Sequence, residues 1–109
     1  MPALLDGIRV IAFVGPAGTG KSLRAQFVAR QREIDYIIDD GLVIARGRIV
    51  AGKSAKTEKN MVRAIRRAMF LFPDHRAEVT GFLRDHSPCS LMVIATSQGM
   101  AEKICRALG

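Results

Sequence analysis

The sequence has no long apolar run, and this absence argues against a membrane-spanning helix. Its longest apolar stretches, residues 10–14 and 91–95, are far shorter than the roughly 20 residues that a helix needs to cross a bilayer. No basic residue precedes the apolar stretch at the N-terminus, so a signal peptide is not expected either. These absences predict a cytoplasmic location.

Cysteine is scarce, and its placement argues against the usual cysteine chemistry. Only two are present, Cys89 and Cys105, without the close spacing of metal ligands or of a redox pair. A free cysteine otherwise behaves as a small hydrophobic residue, so both are expected to be reduced and buried. Linkers and low-complexity tracts are also missing from the 109 residues, which predicts one domain, residues 1–109, with one core.

Positive charge is what the sequence has in excess. Seventeen Lys and Arg residues stand against ten Asp and Glu residues, giving a net charge of +7. Eight of the basic residues fall close together: Arg46, Arg48, Lys53, Lys56, Lys59, Arg63, Arg66 and Arg67. Because a basic surface favours polyanions, this region is predicted to bind RNA, DNA or an acidic partner. A merely solvated helix face is the alternative.

Apolar runs alternate with helical patterns along the chain. The runs that predict strands are residues 8–14, 34–38, 42–45, 48–51 and 91–95. Helices are predicted over residues 21–33 and 57–72, between Pro73 and Pro88, and after a cap at Ser97. The first run is typical of a strand buried on both faces of a parallel sheet. The order predicts an α/β fold with a mostly parallel sheet plus a short β-hairpin around Arg46-Gly47.

The helix predicted over residues 57–72 is amphipathic. Its apolar stripe contains Met61, Val62, Ile65, Ala68 and Met69. Its other side contains Lys59, Arg63, Arg66 and Arg67. Such a pattern predicts that the apolar stripe packs on the core and that the basic side faces water.

The segment after the first predicted strand matches the pattern GxxxxGK[ST], with a helix predicted after it. Its residues are Gly15, Pro16, Ala17, Gly18, Thr19, Gly20, Lys21 and Ser22. The glycines let backbone N–H groups converge on an anion, and the helix start favours phosphate. Lys21 is expected to reach the β- and γ-phosphates, and to point into solvent without them. The Ser22 hydroxyl is expected to ligate Mg²⁺.

Residues 47–54 match the same pattern letter for letter. Their interior holds Ile49 and Val50, whose β-branched side chains resist wrapping around a phosphate. No continuous buried strand precedes Gly47. This second match is therefore interpreted as an arm of the hairpin that leads into a basic turn. Lys53 and Lys56 in that turn are expected to face phosphates, an acidic partner or solvent.

With residues 15–22 in place, the sequence resembles the P-loop NTPase superfamily. The resemblance implies a small three-layer fold, ATP and Mg²⁺ as ligands, and an aspartate at the end of a neighbouring strand that holds the metal. Asp39 is the first candidate for that role and Asp40 the second. The alternative is that both shape a turn before Gly41. Thr96 or Ser97 is placed like the polar residue that often ends a third strand in that superfamily.

Two further segments carry a narrower resemblance. They are YIIDDG at residues 36–41 and AGKSAK at residues 51–56, and they resemble the start of a family of uncharacterised bacterial ATP-binding proteins. Members of that family are longer, which implies that the chain is the N-terminal domain of a larger protein. The resemblance implies a fold and a ligand but no reaction.

The expected function is ATP–Mg²⁺ binding with weak NTP hydrolysis. Lys21 would stabilise charge on the γ-phosphoryl group, Ser22 and Asp39 would hold the metal, and Asp40 is the remaining acid beside them. A small-molecule or nucleotide kinase is one alternative, and a nucleotide-gated binding module, for example for RNA, is another. The sequence has no Asp-Glu pair to activate water and no Asn-Lys-x-Asp motif to read guanine.

Hydrolysis by the isolated chain is expected to be slow because a base and a catalytic cation are not evident. Arg46 and Arg48 at the hairpin tip are predicted to reach the γ-phosphate of another subunit. An arginine supplied in trans raises turnover by about 10³- to 10⁵-fold. A homo-oligomer, a partner or a missing C-terminal domain is therefore the expected source of full activity.

Overall fold

The computed structural model describes residues 7–16 and 20–109. Within them the elements are β1 (Ile8–Val14), α1 (Lys21–Gln31), β2 (Tyr36–Asp39), β3 (Leu42–Ala45), β4 (Arg48–Gly52), a 3₁₀ turn (Ala55–Thr57), α2 (Met61–Ala68), α3 (Pro73–Asp85), β5 (Cys89–Ala95) and α4 (Gln98–Leu108). The helix predicted over residues 57–72 is shorter because Asn60 caps its start and Phe70, at φ 59°, cannot continue it. None of the helices in the described ranges has both the length and the apolar character needed to cross a membrane.

The five strands form one mixed sheet in the order β1-β5-β2-β3-β4. β1 and β2 both pair in parallel with β5, so that Val14 lies opposite Ala95 and Ile38 lies opposite Val93. β3 and β4 extend the sheet as an antiparallel meander. The carboxyl ends of β1, β5 and β2 therefore meet at one edge of the sheet.

The expectation of a mostly parallel sheet is wrong, because the sheet is mixed and the meander is antiparallel. Two-residue turns, Asp40-Gly41 and Arg46-Gly47, connect β2 to β3 and β3 to β4. All four residues have positive φ, at 54°, 86°, 52° and 80°, which is the combination found in type I′ hairpin turns. A two-residue connection can join only antiparallel neighbours. The hairpin predicted at Arg46-Gly47 is confirmed, and Asp40-Gly41 adds a second one.

β1 lies at the edge of the sheet, and it is not buried on both faces as expected. Among the described residues it pairs with β5 alone, and Ala12 and Val14 are exposed while Ile8 is buried. The covered central strand is β5, in which residues 91–95 are between 0 and 4 % exposed. An apolar run predicts a strand, but the pairing of its two edges depends on the rest of the chain.

Apolar clusters cover both faces of the sheet. Alternate residues of β5 divide between them, with Leu91, Val93 and Ala95 in one cluster and Met92 and Ile94 in the other. Buried side chains of α3 and α4 complete the first cluster, and buried alanines of α1 complete the second. This packing fixes the starts of α1 and α4 at the carboxyl edge of the parallel strands.

α2 presents most of its apolar stripe to solvent, which is opposite to the expectation. Met61, Val62 and Ile65 are 75, 58 and 56 % exposed, whereas Arg67 is only 8 % exposed. The helix packs against the 3₁₀ turn. Helical spacing identifies an apolar face, but it does not show which neighbour is available to cover it.

A charged cluster takes the place of the apolar stripe beneath α2. The Arg67 guanidinium donates to Glu58 Oε1 at 2.8 Å and lies 4.2 Å from the centroid of the Phe72 ring. Arg63 Nε donates to the other carboxylate oxygen at 3.1 Å. The hydrogen bond from Arg67, with that from Arg63, lowers the pKa of Glu58. Arg67 is therefore a structural residue. Because it is buried, it does not belong to the basic surface predicted between residues 46 and 67.

Candidate functional site

A cleft of about 500 Å³ opens at the carboxyl edge of the parallel strands. This volume is in the range of small-molecule sites, roughly 300–1,000 Å³. The polar side chains that line it are Lys21, Ser22, Asp39, Asp40, Lys56 and Thr96. The fold thus brings together Lys21, Ser22, Asp39 and Asp40, the side chains that the sequence assigned to phosphate, metal and catalysis within one chain. Thr19 lies outside the described residues.

The side chain of Lys21 folds back over the loop that precedes it. Lys21 Nζ donates to the Gly15 carbonyl oxygen at 2.8 Å, and the Gly15 amide donates to the Ala95 carbonyl oxygen at 3.1 Å. The expectation that Lys21 points into solvent is therefore wrong, and its side chain is half-buried. An ammonium group has three donors and no acceptor, so it takes the nearest carbonyl oxygen.

The start of α1 has no acceptor side chain of its own. Its capping residue is Gly20, at φ 72°, and its first turn has no acidic residue. Ser97, in contrast, caps α4 by accepting from Met100 N at 3.1 Å. Unsatisfied N–H groups and the positive end of the helix dipole make such a start favourable for an anion. Ala17, Gly18 and Thr19 of the motif lie outside the described residues.

Ser22 and Asp39 lie side by side in the cleft. Ser22 Oγ donates to Asp39 Oδ2 at 2.7 Å, across 17 positions of sequence. A hydroxyl and a carboxylate suit Mg²⁺, which takes few protein ligands and keeps waters or substrate phosphates as the others. No group of three His, Cys, Asp or Glu side chains that could hold a metal exists within residues 7–16 and 20–109. The pair fits a cation shared with a phosphate, not one enclosed by protein.

Asp40 lies next to this pair but has different contacts. Its Oδ2 accepts from the Ser54 hydroxyl at 2.9 Å, and its carbonyl oxygen accepts from Ala55 N at 2.9 Å. Its φ of 54° places it in the hairpin turn before Gly41, which was the alternative reading of the two aspartates. Asp40 therefore joins the loop after β4 to the cleft, while Asp39 is the carboxylate beside Ser22.

The second match to the phosphate-loop pattern, residues 47–54, is the turn, strand β4 and the loop that leaves it. Gly47 closes the hairpin, and Gly52, at φ 91°, packs so closely on Gly41 that a Cβ atom would overlap the Gly41 carbonyl oxygen. Ser54 caps the 3₁₀ turn by accepting from Lys56 N at 3.1 Å. The interpretation as a hairpin arm that leads into a basic turn is confirmed.

The His75 side chain contacts the Asp40-Gly41 turn. The ring is 3 % exposed and stacks on Phe70 at a centroid distance of 4.7 Å. Its Nε2 lies 2.7 Å from the Gly41 carbonyl oxygen and 3.3 Å from the Lys53 amide nitrogen. The shorter contact is a hydrogen bond in the tautomer that carries the proton on Nε2. That carbonyl also accepts from the Lys53 amide at 3.2 Å. Nδ1 is buried without a hydrogen-bond partner among the described residues.

The burial of His75 predicts a pH dependence of stability. Burial lowers its pKa below 6.5, and the charges of Arg67 and Lys53 act in the same direction, against the bond to Gly41 and the charge of Glu78. Below pH 6.5 the unfolded chain therefore binds a proton that the folded chain does not. The free energy of unfolding should fall between about pH 7 and pH 5.5, above the range of ordinary carboxyl groups, as measured by urea denaturation.

The control for this prediction is the second histidine. His75→Gln should remove most of this pH dependence, whereas His86→Gln, which replaces an exposed ring, should retain it. Equal pH dependence in both variants would contradict the assignment to His75.

The arginines of the hairpin tip lie at the opposite edge of the sheet. β3 runs antiparallel to β2, so the Arg46-Gly47 turn is at the amino end of β2. Arg46 there lines a second, open cleft of about 720 Å³, together with Arg30 and Glu33. That cleft is larger, but it contains none of the expected site residues. Arg46 cannot serve the cleft of its own chain, and its reach into another subunit stays a prediction.

Two residues of the cleft had only a weak signal in the sequence. Thr96 lines it at the end of β5, where Thr96 or Ser97 had been suggested, whereas Ser97 caps α4. Lys56 lines it from the 3₁₀ turn, although Lys53 is the lysine that the repeated pattern emphasises. The sequence named Lys56 together with Lys53 and could not distinguish the two lysines, because the position of Lys56 depends on the contact between Ser54 and Asp40.

Comparison of the chain with protein-family models, with curated proteins and with solved structures finds no match.

Proposed function

We propose that the chain binds a nucleoside triphosphate with Mg²⁺ at the cleft, and that its architecture is a small P-loop-like α/β fold. The hydrogen bond between Ser22 Oγ and Asp39 Oδ2, at 2.7 Å, is the observation that carries this proposal. The GxxxxGK[ST] pattern predicts the metal role of Ser22, and the resemblance that rests on this pattern implies the metal role of Asp39. Their contact supports the assignment of both.

Three other features support a phosphate at this place. The start of α1 has no capping side chain, Lys21 is held over the loop at Gly15, and the cleft opens directly onto both. A bound phosphate would exchange the Gly15 carbonyl for phosphate oxygens as the partner of Lys21. A charge-assisted bond of this kind is roughly twice as strong as a neutral one.

Hydrolysis at such a site depends on positioning and on charge stabilisation. Mg²⁺, when bound, would neutralise charge on the β- and γ-phosphates, and Ser22 and Asp39 would orient it. Asp40 is the acid left to position a water, although its Oδ2 is engaged by Ser54. We therefore propose slow hydrolysis of ATP in the isolated chain. A kinase would instead release ADP only with an acceptor, and a nucleotide-gated module would bind a polyanion only when loaded.

Replacing Asp39 by asparagine tests the metal site. The variant should bind Mg–ATP at least about tenfold more weakly, because it loses a carboxylate that orients the cation. Its affinity for ATP in the presence of a chelator should not fall, since the carboxylate contacts the metal and not the phosphates. Isothermal titration calorimetry with and without Mg²⁺ gives both values.

Asp40→Asn is the matched control, because Asp40 is the neighbouring carboxylate of the same cleft. It should show little Mg²⁺-linked loss. If Asp40→Asn alone shows that loss, the roles of the two residues are exchanged. If wild-type protein shows no binding of Mg–ATP at all, the proposed function is wrong.

A further inference from the structure

We infer that Lys56 is a second cation of the phosphate site, which faces the terminal phosphate from the side opposite Lys21. This inference rests on the proposed function and adds a residue to it. Lys56 and Lys21 both line the cleft, and Asp39 and Asp40 line it with them. Within residues 7–16 and 20–109, these two lysines are the cationic side chains of that lining.

The backbone at Lys56 is fixed by a set of hydrogen bonds to the first hairpin turn. Lys53 N donates to the Gly41 carbonyl oxygen at 3.2 Å, and Ala55 N donates to the Asp40 carbonyl oxygen at 2.9 Å. Ser54 Oγ donates to Asp40 Oδ2 at 2.9 Å and accepts from Lys56 N at 3.1 Å. The chain between Gly52 and Lys56 is thus docked on the residue that follows Asp39.

The position of Lys56 relative to the metal pair indicates which phosphate it faces. Lys21 and Ser22 are the first two residues of α1. Asp39 ends β2, and Lys56 is docked beyond it through Asp40. If Lys21 contacts the β- and γ-phosphates and a metal is held by Ser22 and Asp39, the γ-phosphate would lie between Lys21 and Lys56.

The charge of the site is incomplete without Lys56. A triphosphate with one Mg²⁺ keeps a net negative charge, and both Asp39 and Asp40 add negative charge to the same cleft. Lys21 alone does not offset these charges. Among the described residues, the Lys56 ammonium forms no ion pair with an acidic side chain, and the lysine is exposed, so it is available to a phosphate.

This arrangement gives a role to the second pattern match. Gly52 permits the close approach to Gly41, Ser54 bonds to Asp40, and the 3₁₀ turn that follows presents Lys56. The segment is therefore not a second phosphate loop but the part of the chain that brings a second lysine to the first one. A second cation of the site is then supplied within the same chain, whether or not Arg46 or Arg48 of another subunit also reaches it.

The test is the affinity of Lys56→Ala for Mg–ATP and for Mg–ADP, measured by calorimetry. Affinity for Mg–ATP should fall about tenfold, whereas affinity for Mg–ADP should change less than about twofold, because ADP lacks the terminal phosphate. Lys56→Arg keeps the cation and should retain most of the preference for ATP. Lys59→Ala, which removes an exposed lysine outside the cleft, should match wild type for both nucleotides.

The outcomes separate this inference from the proposed function. If wild type binds Mg–ATP and Lys56→Ala behaves as Lys59→Ala does, the inference is overturned and the site stands. An equal loss of ATP and ADP affinity also overturns it, because the terminal phosphate would not be the contact. Wild type that binds neither nucleotide overturns both. Lys56→Gln, which keeps the length of the side chain, replaces Lys56→Ala if thermal melting shows that the alanine variant is unfolded.

Discussion

Lys21→Ala should lower the affinity for Mg–ATP by about a hundredfold or more, while the domain stays folded. Removing one partner of a charged, hydrogen-bonded contact costs about 2–5 kcal/mol, and roughly 2.7 kcal/mol corresponds to a hundredfold change. The folded state loses only the hydrogen bond from Nζ to the Gly15 carbonyl oxygen, which is worth about 1 kcal/mol. Calorimetry measures the affinity, and circular dichroism with thermal melting measures the fold.

Lys53→Ala is the matched control, because Lys53 occupies the same place in the second pattern match. It is exposed and does not line the cleft, so its affinity for Mg–ATP should stay within about threefold of wild type. A folded Lys21→Ala protein with unchanged affinity would contradict the proposal that residues 15–22 bind the triphosphate. A larger loss from Lys53→Ala would mean that the second match is the phosphate loop.

Gly52→Ala should destabilise the domain by about 3 kcal/mol or more. Gly52 has φ 91°, and an added Cβ would overlap the Gly41 carbonyl oxygen and press on Leu42 Cα. The left-handed conformation costs a non-glycine residue about 1–2 kcal/mol. Displacing the backbone of the neighbouring turn adds to this, because that carbonyl already accepts from His75 and Lys53. Such a loss is a large part of the roughly 5–15 kcal/mol that stabilises a domain.

Gly47→Ala separates the two contributions. Gly47 also has positive φ, at 80°, but a Cβ there would meet no atom within 4 Å. It should therefore cost about 1–2 kcal/mol, from the backbone conformation alone. Urea denaturation of the two variants gives the comparison. Equal losses would show that the close approach of Gly52 to Gly41 is relieved without cost.

The parts of the site that could be predicted from the sequence are those encoded in short segments. Lys21 and Ser22 follow the first strand within one contiguous pattern, and Asp39 ends an apolar run. Since parallel strands bring their carboxyl ends to one edge, these residues could be expected at the same edge of the sheet. The hairpin at Arg46-Gly47 was predictable because its two flanking strands and its turn are adjacent in sequence.

The parts that could not be predicted depend on contacts between distant segments. The sequence identified Asp40-Gly41 as a favourable turn, but only the pairing of β2 with β3 shows that the next strand runs antiparallel. The burial of Arg67 depends on Glu58 and Phe72. That of His75 depends on Gly41, 34 positions away. Periodicity gives no information about such partners, so it assigned the wrong face of α2 to the core.

The repeated pattern illustrates how the same letters arise for different reasons. In residues 47–54 the first glycine satisfies a type I′ turn, the second permits a close backbone approach, and the serine bonds to Asp40. None of these requirements involves a phosphate. The hairpin and its contacts therefore explain Gly52 and Ser54, which flank Lys53. The lysine of this segment that lines the cleft is Lys56.

The strand order also bears on how the site appears during synthesis on the ribosome. β1 is made first and β5 last, yet they are neighbours, with Ile8 opposite Cys89. The meander of β2, β3 and β4 spans only residues 36–52, and contacts so close in sequence form early. The contact partner of Gly15, the Ala95 carbonyl oxygen, emerges only after the whole meander has been made. A nascent chain therefore carries residues 15–22 long before the cleft beside them can form.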